Sequence, residues 1–236
     1  CQMVRVLLLA DLISNTQKII HMKISNIILT LSLISGVSYG STVQSVSFGV
    51  GNPSAEGWSV TNGSGGEFNN GSEWAIFGSG SQATRGLGGD LSIGQTVSID
   101  LATLGIATGD FVGVDFRHAA VTGIGYNFQG GGSNYGVFSN TGTTDSGIGY
   151  SAALKTIALT NVDGTNYTLS IDGTAFTTLA LANGRTGIDE VRIFNDTSGS
   201  GNDVLFDNFT VSAVPEPSTT ALLGLGGLAL ILRRRK

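Results

Sequence analysis

Between residues 41 and 213 the apolar residues fall mostly at every second position, and no stretch of useful length repeats with a helical period. That pattern excludes helix bundles and leaves strands, each with one buried face. Val43, Val46, Phe48 and Val50 mark a first strand, and Leu91, Ile93, Val97, Ile99 and Leu101 a second region. Phe111, Val112, Val114 and Phe116 form a compact strand ahead of Arg117. Val121 to Phe128 and Tyr135 to Phe138 follow, parted by Gly130-Gly131-Gly132. The clearest hairpin runs from Asn166 to Leu181, where Tyr167, Leu169 and Ile171 alternate up to Asp172-Gly173 and Phe176 and Leu179 follow. Asp-Gly suits a type I′ turn, whose twist matches that of paired strands. Asp163-Gly164 marks the turn before it, and Ile188 to Phe194 and Val204 to Val211 close the domain.

Composition agrees with many short strands joined by tight turns. The chain has 36 glycines in 236 residues and only 12% charged residues. Between residues 41 and 214 five basic residues (Arg85, Arg117, Lys155, Arg185, Arg192) stand against fifteen acidic ones, a formal charge of −10. Such a domain repels phosphate backbones, so nucleic acid is excluded as a partner. Cys1 is the only cysteine. The domain therefore has no disulfide, no thiol nucleophile and no cysteine zinc site, and its stability rests on burial.

The two ends read differently. Met22 is the expected start, with residues 1–21 a mis-called upstream extension. Lys23 gives a positive n-region and Ile24 to Ile34 an apolar run. Ser38 and Gly40 then supply small residues for cleavage before Ser41, so residues 22–40 read as a signal peptide for the Sec export machinery. At the back, Val-Pro-Glu-Pro-Ser-Thr-Thr precedes an apolar stretch and the basic cluster Arg233, Arg234, Arg235 and Lys236. As a helix, Thr219 to Leu232 would be roughly 21 Å long, short of a hydrocarbon core of about 30 Å, with basic side chains snorkelling across part of the gap. The cations stay on the cytoplasmic side, which places the domain across the membrane.

Residues 214–236 closely resemble the PEP-CTERM sorting signal, on Pro215, Glu216 and Pro217, the apolar helix and the terminal basic cluster. The resemblance implies an exosortase as partner, a membrane cysteine protease that reads the Pro-Glu-Pro element and removes the helix. It also implies delivery to the cell surface or extracellular matrix. Physically, two prolines one residue apart hold an extended segment open to a protease.

A looser resemblance covers the middle. Tyr167 to Gly173, Ile188 to Phe194 and Asp203 to Phe209 look like strands of concanavalin-like and laminin-G-like jelly rolls. The expected fold is thus all-β: a jelly-roll (concanavalin-like) β-sandwich at 41–213, flanked by an N-terminal signal helix and a C-terminal transmembrane helix at about 219–232.

Candidate chemistry is sparse. His118 is the domain's one histidine, best read as a loop or strand-end residue, since one histidine cannot build a multi-histidine metal site. The Gly36 to Gly40 string matches a nucleophile elbow but lies at the cleavage site, and Gly224 to Ala229 matches a dinucleotide string with no strand before it. Glu56, Glu67, Glu73 and Glu190 are not in the Glu-x-Asp-x-x-Glu arrangement that concanavalin-like glycosidases use. Asn195, Asp196, Asp203 and Asp207 are a candidate structural calcium site, beside the plainer reading of an Asx-rich turn. Trp58, Trp74, Tyr126 and Tyr135 supply either core or, if exposed, faces for stacking sugars. Asn62 and Asn166 fit glycosylation acceptor strings by chance in an Asn- and Thr-rich chain.

These readings converge on an exported, exosortase-processed surface or matrix protein with a structural or adhesive domain and no enzymatic activity. A glycan-binding module that takes extracellular polysaccharide is the alternative. A secreted polysaccharide hydrolase or lyase ranks behind both.

Overall fold

The computed structural model describes residues 42–47, 49–196 and 204–212. The expected signal segment 22–40, the cleavage residues Ser38, Gly40 and Ser41, and the whole tail from Pro215 to Lys236 lie outside the described residues. Among the described residues no helix is long and apolar enough to cross a membrane.

Gly40–Val214 form one compact unit. Its described strands are β1 (Thr42–Val46), β2 (Ser59–Thr61), β3 (Gly66–Asn69), β4 (Trp74–Phe77), β5 (Ser81–Gly86), β6 (Thr96–Thr103), β7 (Phe111–His118) and β8 (Val121–Gln129). They continue with β9 (Asn134–Ser139), β10 (Gly142–Gly149), β11 (Lys155–Asn161), β12 (Asn166–Ile171), β13 (Thr174–Ala180), β14 (Glu190–Asp196) and β15 (Val204–Ser212). All pairings are antiparallel, and the strands make two sheets. One runs β13-β12-β11-β6-β15-β4-β3 with β1 also on β15, and the other runs β10-β9-β8-β7-β14-β5-β2. The molecule is an all-β two-sheet sandwich.

Burial follows the period-two pattern. In β12 Tyr167, Leu169 and Ile171 point inward, and in β14 Val191 and Ile193 do. Inward residues of both sheets meet in one core that includes Trp74, Ile99, Val114, Phe116, Ile124, Leu159, Phe206 and Phe209. Trp58 closes one side of it, edge-on to Phe206 at 5.0 Å and to Phe209 at 5.6 Å. Each such buried side chain contributes about 1.5–3 kcal/mol over leaving it exposed.

The Asp172-Gly173 hairpin forms as the sequence requires. Ile171 pairs with Thr174, and the two turn residues have φ of 50° and 76°, the left-handed values of a type I′ turn. Two expectations need correction. Val50 falls in a bend and is fully exposed, so the first strand ends at Val46. Ile93 lies before β6 and is 60% exposed, because Gly94 and Gln95 turn the chain against Asn161 before the strand begins.

Candidate functional site

Among the described residues, the seven-stranded sheet turns one face to the core and leaves the other uncovered. Antiparallel register sets what that face displays. Phe194 of β14 lies opposite Gly113 of β7, Gly113 opposite Asn127 of β8, Asn127 opposite Gly136 of β9, and Gly136 opposite Asp145 of β10. The neighbouring row runs Arg192, Asp115, Gly125, Phe138 and Thr143. Each row crosses five strands, which at the usual inter-strand spacing is about 19 Å.

The glycines lower the floor of these rows. A Cβ on Gly125 would stand 2.8 Å from the Asp115 carboxylate and 3.4 Å from the Phe138 Cβ. One on Gly136 would stand 2.9 Å from the Thr143 methyl and 3.1 Å from the Asn127 amide oxygen. The result is a shallow groove of about 510 Å³ whose lining includes Phe111, Asp115, Asn127, Phe138, Arg192 and Phe194. A second hollow of about 370 Å³ continues it past Asn134 and Asp145. Both lie in the size range of small-ligand clefts.

The groove's charges are largely spoken for. Arg192 donates to the Asp115 carboxylate, through Nε at 3.1 Å and also through Nη2, and Thr122 Oγ1 donates to the same oxygen at 2.9 Å. Asp115 is 7% exposed, so this pair sits in the groove floor. The Arg192 guanidinium lies 4.9 Å from the centre of the Phe194 ring, a cation–π contact. Arg117 is bound to Glu190 at 2.9 Å. Asp145 has no cationic partner among the described residues. Its carboxylate accepts from the Gly147 N–H at 2.7 Å and the Asn134 amide at 3.0 Å, and these bonds, the backbone one foremost, hold its carboxyl below the usual range.

The residues singled out from sequence fall elsewhere. Trp58, Trp74, Tyr126 and Tyr135 are all core, none above 3% exposed. The aromatic rings that line the groove are instead the exposed Phe111 and the half-buried Phe138 and Phe194. Three of the four candidate calcium residues lie among the described residues. Asn195 and Asp196 are consecutive on β14, so Asn195 is buried in the sandwich while Asp196 faces the groove, and Asp207 belongs to the other sheet. Asp203 lies outside the described residues. The glutamates are engaged locally: Glu67 with Ser54, Glu73 with Asn70, Glu190 with Arg117, and Glu56 with Gly51.

His118 is the last residue of β7, and it has company that the sequence did not reveal. Asp90, His118 and Asp189 bring one ligand-type atom each within 4.8 Å of one another, with His118 Nε2 3.5 Å from Asp90 Oδ1. One nitrogen and two carboxylates supply three of the four ligands that a zinc ion takes.

The groove residues Asp115, Asn127, Phe138, Arg192 and Phe194 were missed as a site. A signal existed in β14, where Glu190, Arg192, Phe194 and Asp196 alternate with the buried Val191, Ile193 and Asn195. Phe194 stands on that outward face among charged residues, and with Phe111 and Phe138 it makes a contiguous apolar patch rather than a lone exposed residue.

Comparison with known proteins bears on both the tail and the sandwich. Residues 213–236 are a PEP-CTERM protein-sorting motif. PEP-CTERM proteins are exported and sorted to the cell surface, and the motif implies exosortase processing. No curated protein matches the chain by sequence. The sandwich resembles concanavalin-like jelly-roll domains in solved structures. A carbohydrate esterase of the Shiga toxin-encoding bacteriophage phi24B matches with a TM-score of 0.55 at 16% identity, over 74% of this chain and 99% of its own. A sialidase matches with a TM-score of 0.54 at 11% identity, over 71% of this chain but 18% of its own. The botulinum neurotoxin serotype D ligand binding domain, in complex with N-acetylneuraminic acid, matches with a TM-score of 0.51 at 12% identity, over 77% of this chain and 49% of its own. At these identities the likeness is one of fold.

Proposed function

We propose that this is an adhesive surface protein. It is delivered by the Sec pathway, held by its tail, cut by an exosortase at the Pro215–Pro217 element, and left at the surface or in the matrix. There its sandwich holds an extracellular polysaccharide in the groove of the seven-stranded sheet. The sorting motif supports the location. The binding role is carried by one observation: aromatic rings at Phe138 and Phe194 flank a floor lowered by Gly113, Gly125 and Gly136, beside the amide of Asn127. A ring gives an apolar face for the C–H side of a sugar, and an amide gives directional bonds to its hydroxyls.

Binding is favoured over hydrolysis because Asp115, the carboxylate in the floor, is already engaged by Arg192 and Thr122, and Asp145 and Asp196 stand at opposite ends of the groove, farther apart than the paired carboxylates of a glycosidase. The resemblance to carbohydrate-handling domains supports the same substrate class.

A glycan array with the purified full chain tests the reading. We expect binding to at least one polysaccharide class, lowered about tenfold by Phe194→Ala, the loss expected for an aromatic anchor. Absence of binding to every glycan would leave a purely structural role. Mass spectrometry of the processed termini tests the sorting half. A start at Ser41 and loss of the region beyond Pro217 are expected, and retention of Arg233 to Lys236 in surface material overturns it.

A further inference from the structure

The charges of the groove narrow what it can hold. Its two guanidiniums are both committed to carboxylates, Arg192 to Asp115 and Arg117 to Glu190. Arg185, whose Nε donates to the Asn183 carbonyl at 3.1 Å, is not part of the lining. Among the described residues of the lining, no cation is left over for an acidic sugar.

Two carboxylates, by contrast, have no cation. Asp145 stands at the β10 end of the Phe194–Gly113–Asn127–Gly136 row and is exposed, its oxygens bonded only to Gly147 N–H and the Asn134 amide. Asp196 stands at the β14 end, opposite Phe111, and is also exposed. Neither forms an ion pair among the described residues. They lie on the order of 20 Å apart across the sheet, the width of four inter-strand steps, with the aromatic and amide positions between them. The −10 charge between residues 41 and 214 adds a long-range field of the same sign.

We propose that the groove selects glycans bearing protonated amines, that is, unacetylated amino sugars, and turns away uronic-acid and other acidic glycans. This rests on the groove being the glycan site. A sugar chain lying along the row meets Phe194 and Asn127 with its ring face and hydroxyls. Its ammonium groups meet Asp145 and Asp196 at the two ends. An acidic chain must bring carboxylates beside Asp145 and Asp196 with no guanidinium to receive them.

The test uses the full chain purified in mild detergent, at mildly acidic pH where the amines are protonated. Three probes are titrated: a glucosamine oligomer, its N-acetylated counterpart and a galacturonate oligomer of equal length. The glucosamine oligomer should bind roughly three- to tenfold more tightly than the acetylated one, the sum of two exposed charge contacts, and the advantage should vanish at high salt. Asp145→Asn combined with Asp196→Asn should erase the advantage, so that the glucosamine oligomer binds no more tightly than the acetylated one. Both residues are exposed, so the variant should keep the melting temperature of the parent. Galacturonate binding equal to that of glucosamine, or a preference that survives the double substitution, overturns the charge selection while leaving the groove as a glycan site. Failure of all three oligomers to bind overturns the groove reading itself.

Discussion

Thr42 at the start of β1 is the register partner of Ser212 at the end of β15, so the first and last strands of the sandwich lie side by side. Strand β15 pairs with β6 along one edge, while β4 and then β1 share its other edge. The strand that follows the expected cleavage site is therefore seated on the strand that precedes the sorting motif. Ser45 lies opposite Thr210 in the same ladder, and the Cα separation of paired antiparallel residues suits a disulfide. Ser45→Cys with Thr210→Cys should bridge on oxidation. By loop-closure entropy the bridge is worth about 4–5 kcal/mol, less about 1 kcal/mol for losing the 2.6 Å hydroxyl bond between Ser98 and Thr210. Thermal melts of the oxidised and reduced protein measure the difference. A melting temperature that does not rise on oxidation contradicts the β1–β15 pairing.

The Asp115–Arg192 pair should be felt both in stability and in the groove. Arg192→Met leaves the nearly buried Asp115 carboxylate with Thr122 alone. Because Arg192 is itself 27% exposed, the cost should be about 2 kcal/mol, below that of a fully buried pair. Phe194 also loses the guanidinium against which it rests. Urea unfolding should show the loss of stability. Gly125→Ala probes the same spot from the opposite strand, since its methyl would press on Asp115 at 2.8 Å and should cost about 1–2 kcal/mol.

Between β7 and β8 the chain turns through Ala119 and Ala120, with φ of 48° and 62°. A side chain in the left-handed region costs roughly 1–2 kcal/mol per residue, and Asn-Gly is the pair that a type I′ turn favours. Ala119→Asn with Ala120→Gly should therefore stabilise the domain by about 1–2 kcal/mol, with a matching rise in the midpoint of urea unfolding. The change lies beside His118, so the same variant tests whether the Asp90–His118–Asp189 geometry depends on a strained turn.

Much of the sandwich was legible because its long strands carry both signals that sequence can show: alternation and punctuation. Strands β7, β8, β9, β12 and β14 have apolar residues inward at every second position, β15 does so on either side of an irregularity at Asn208, and Asp172-Gly173 fixes one register outright. Two of the strands that sequence did not reveal lack one signal or the other. β10, Gly-Thr-Thr-Asp-Ser-Gly-Ile-Gly, is an edge strand with little to bury, and β2 has only three residues. The groove was harder still. Its residues sit on β7, β8, β9, β10 and β14, and only the pairing register brings Phe194, Gly113, Asn127 and Gly136 into one row. Sequence spacing within a strand tells which face a residue takes, not which neighbour it meets across the sheet.

Three buried tyrosines set the alkaline limit of the fold. Tyr126 and Tyr135 stack at 4.8 Å inside the core, and burial raises both phenols above the usual value, Tyr126 with a further push from its neighbour. Tyr167 is raised for the same first reason. A phenol whose folded value exceeds its unfolded value of about 10 keeps its proton longer in the folded state. Stability is then unaffected below pH ~10 and falls as pH rises through and beyond it, by up to about 1.4 kcal/mol per pH unit for each tyrosine. The two stacked residues differ in what they do with their hydroxyls. Tyr135 donates to the Ser151 carbonyl at 2.9 Å and shares a bond with Thr103 at 3.1 Å, whereas the buried Tyr126 hydroxyl has no partner among the described residues. Tyr126→Phe should thus be neutral or stabilising by about 1 kcal/mol at neutral pH and should flatten the alkaline fall. Tyr135→Phe should flatten it too, but at a cost of about 1–2 kcal/mol for the lost bonds. Urea unfolding of the three proteins across pH 8–12 reads both effects, and an alkaline fall unchanged in Tyr126→Phe would show that the phenol titrates outside the core.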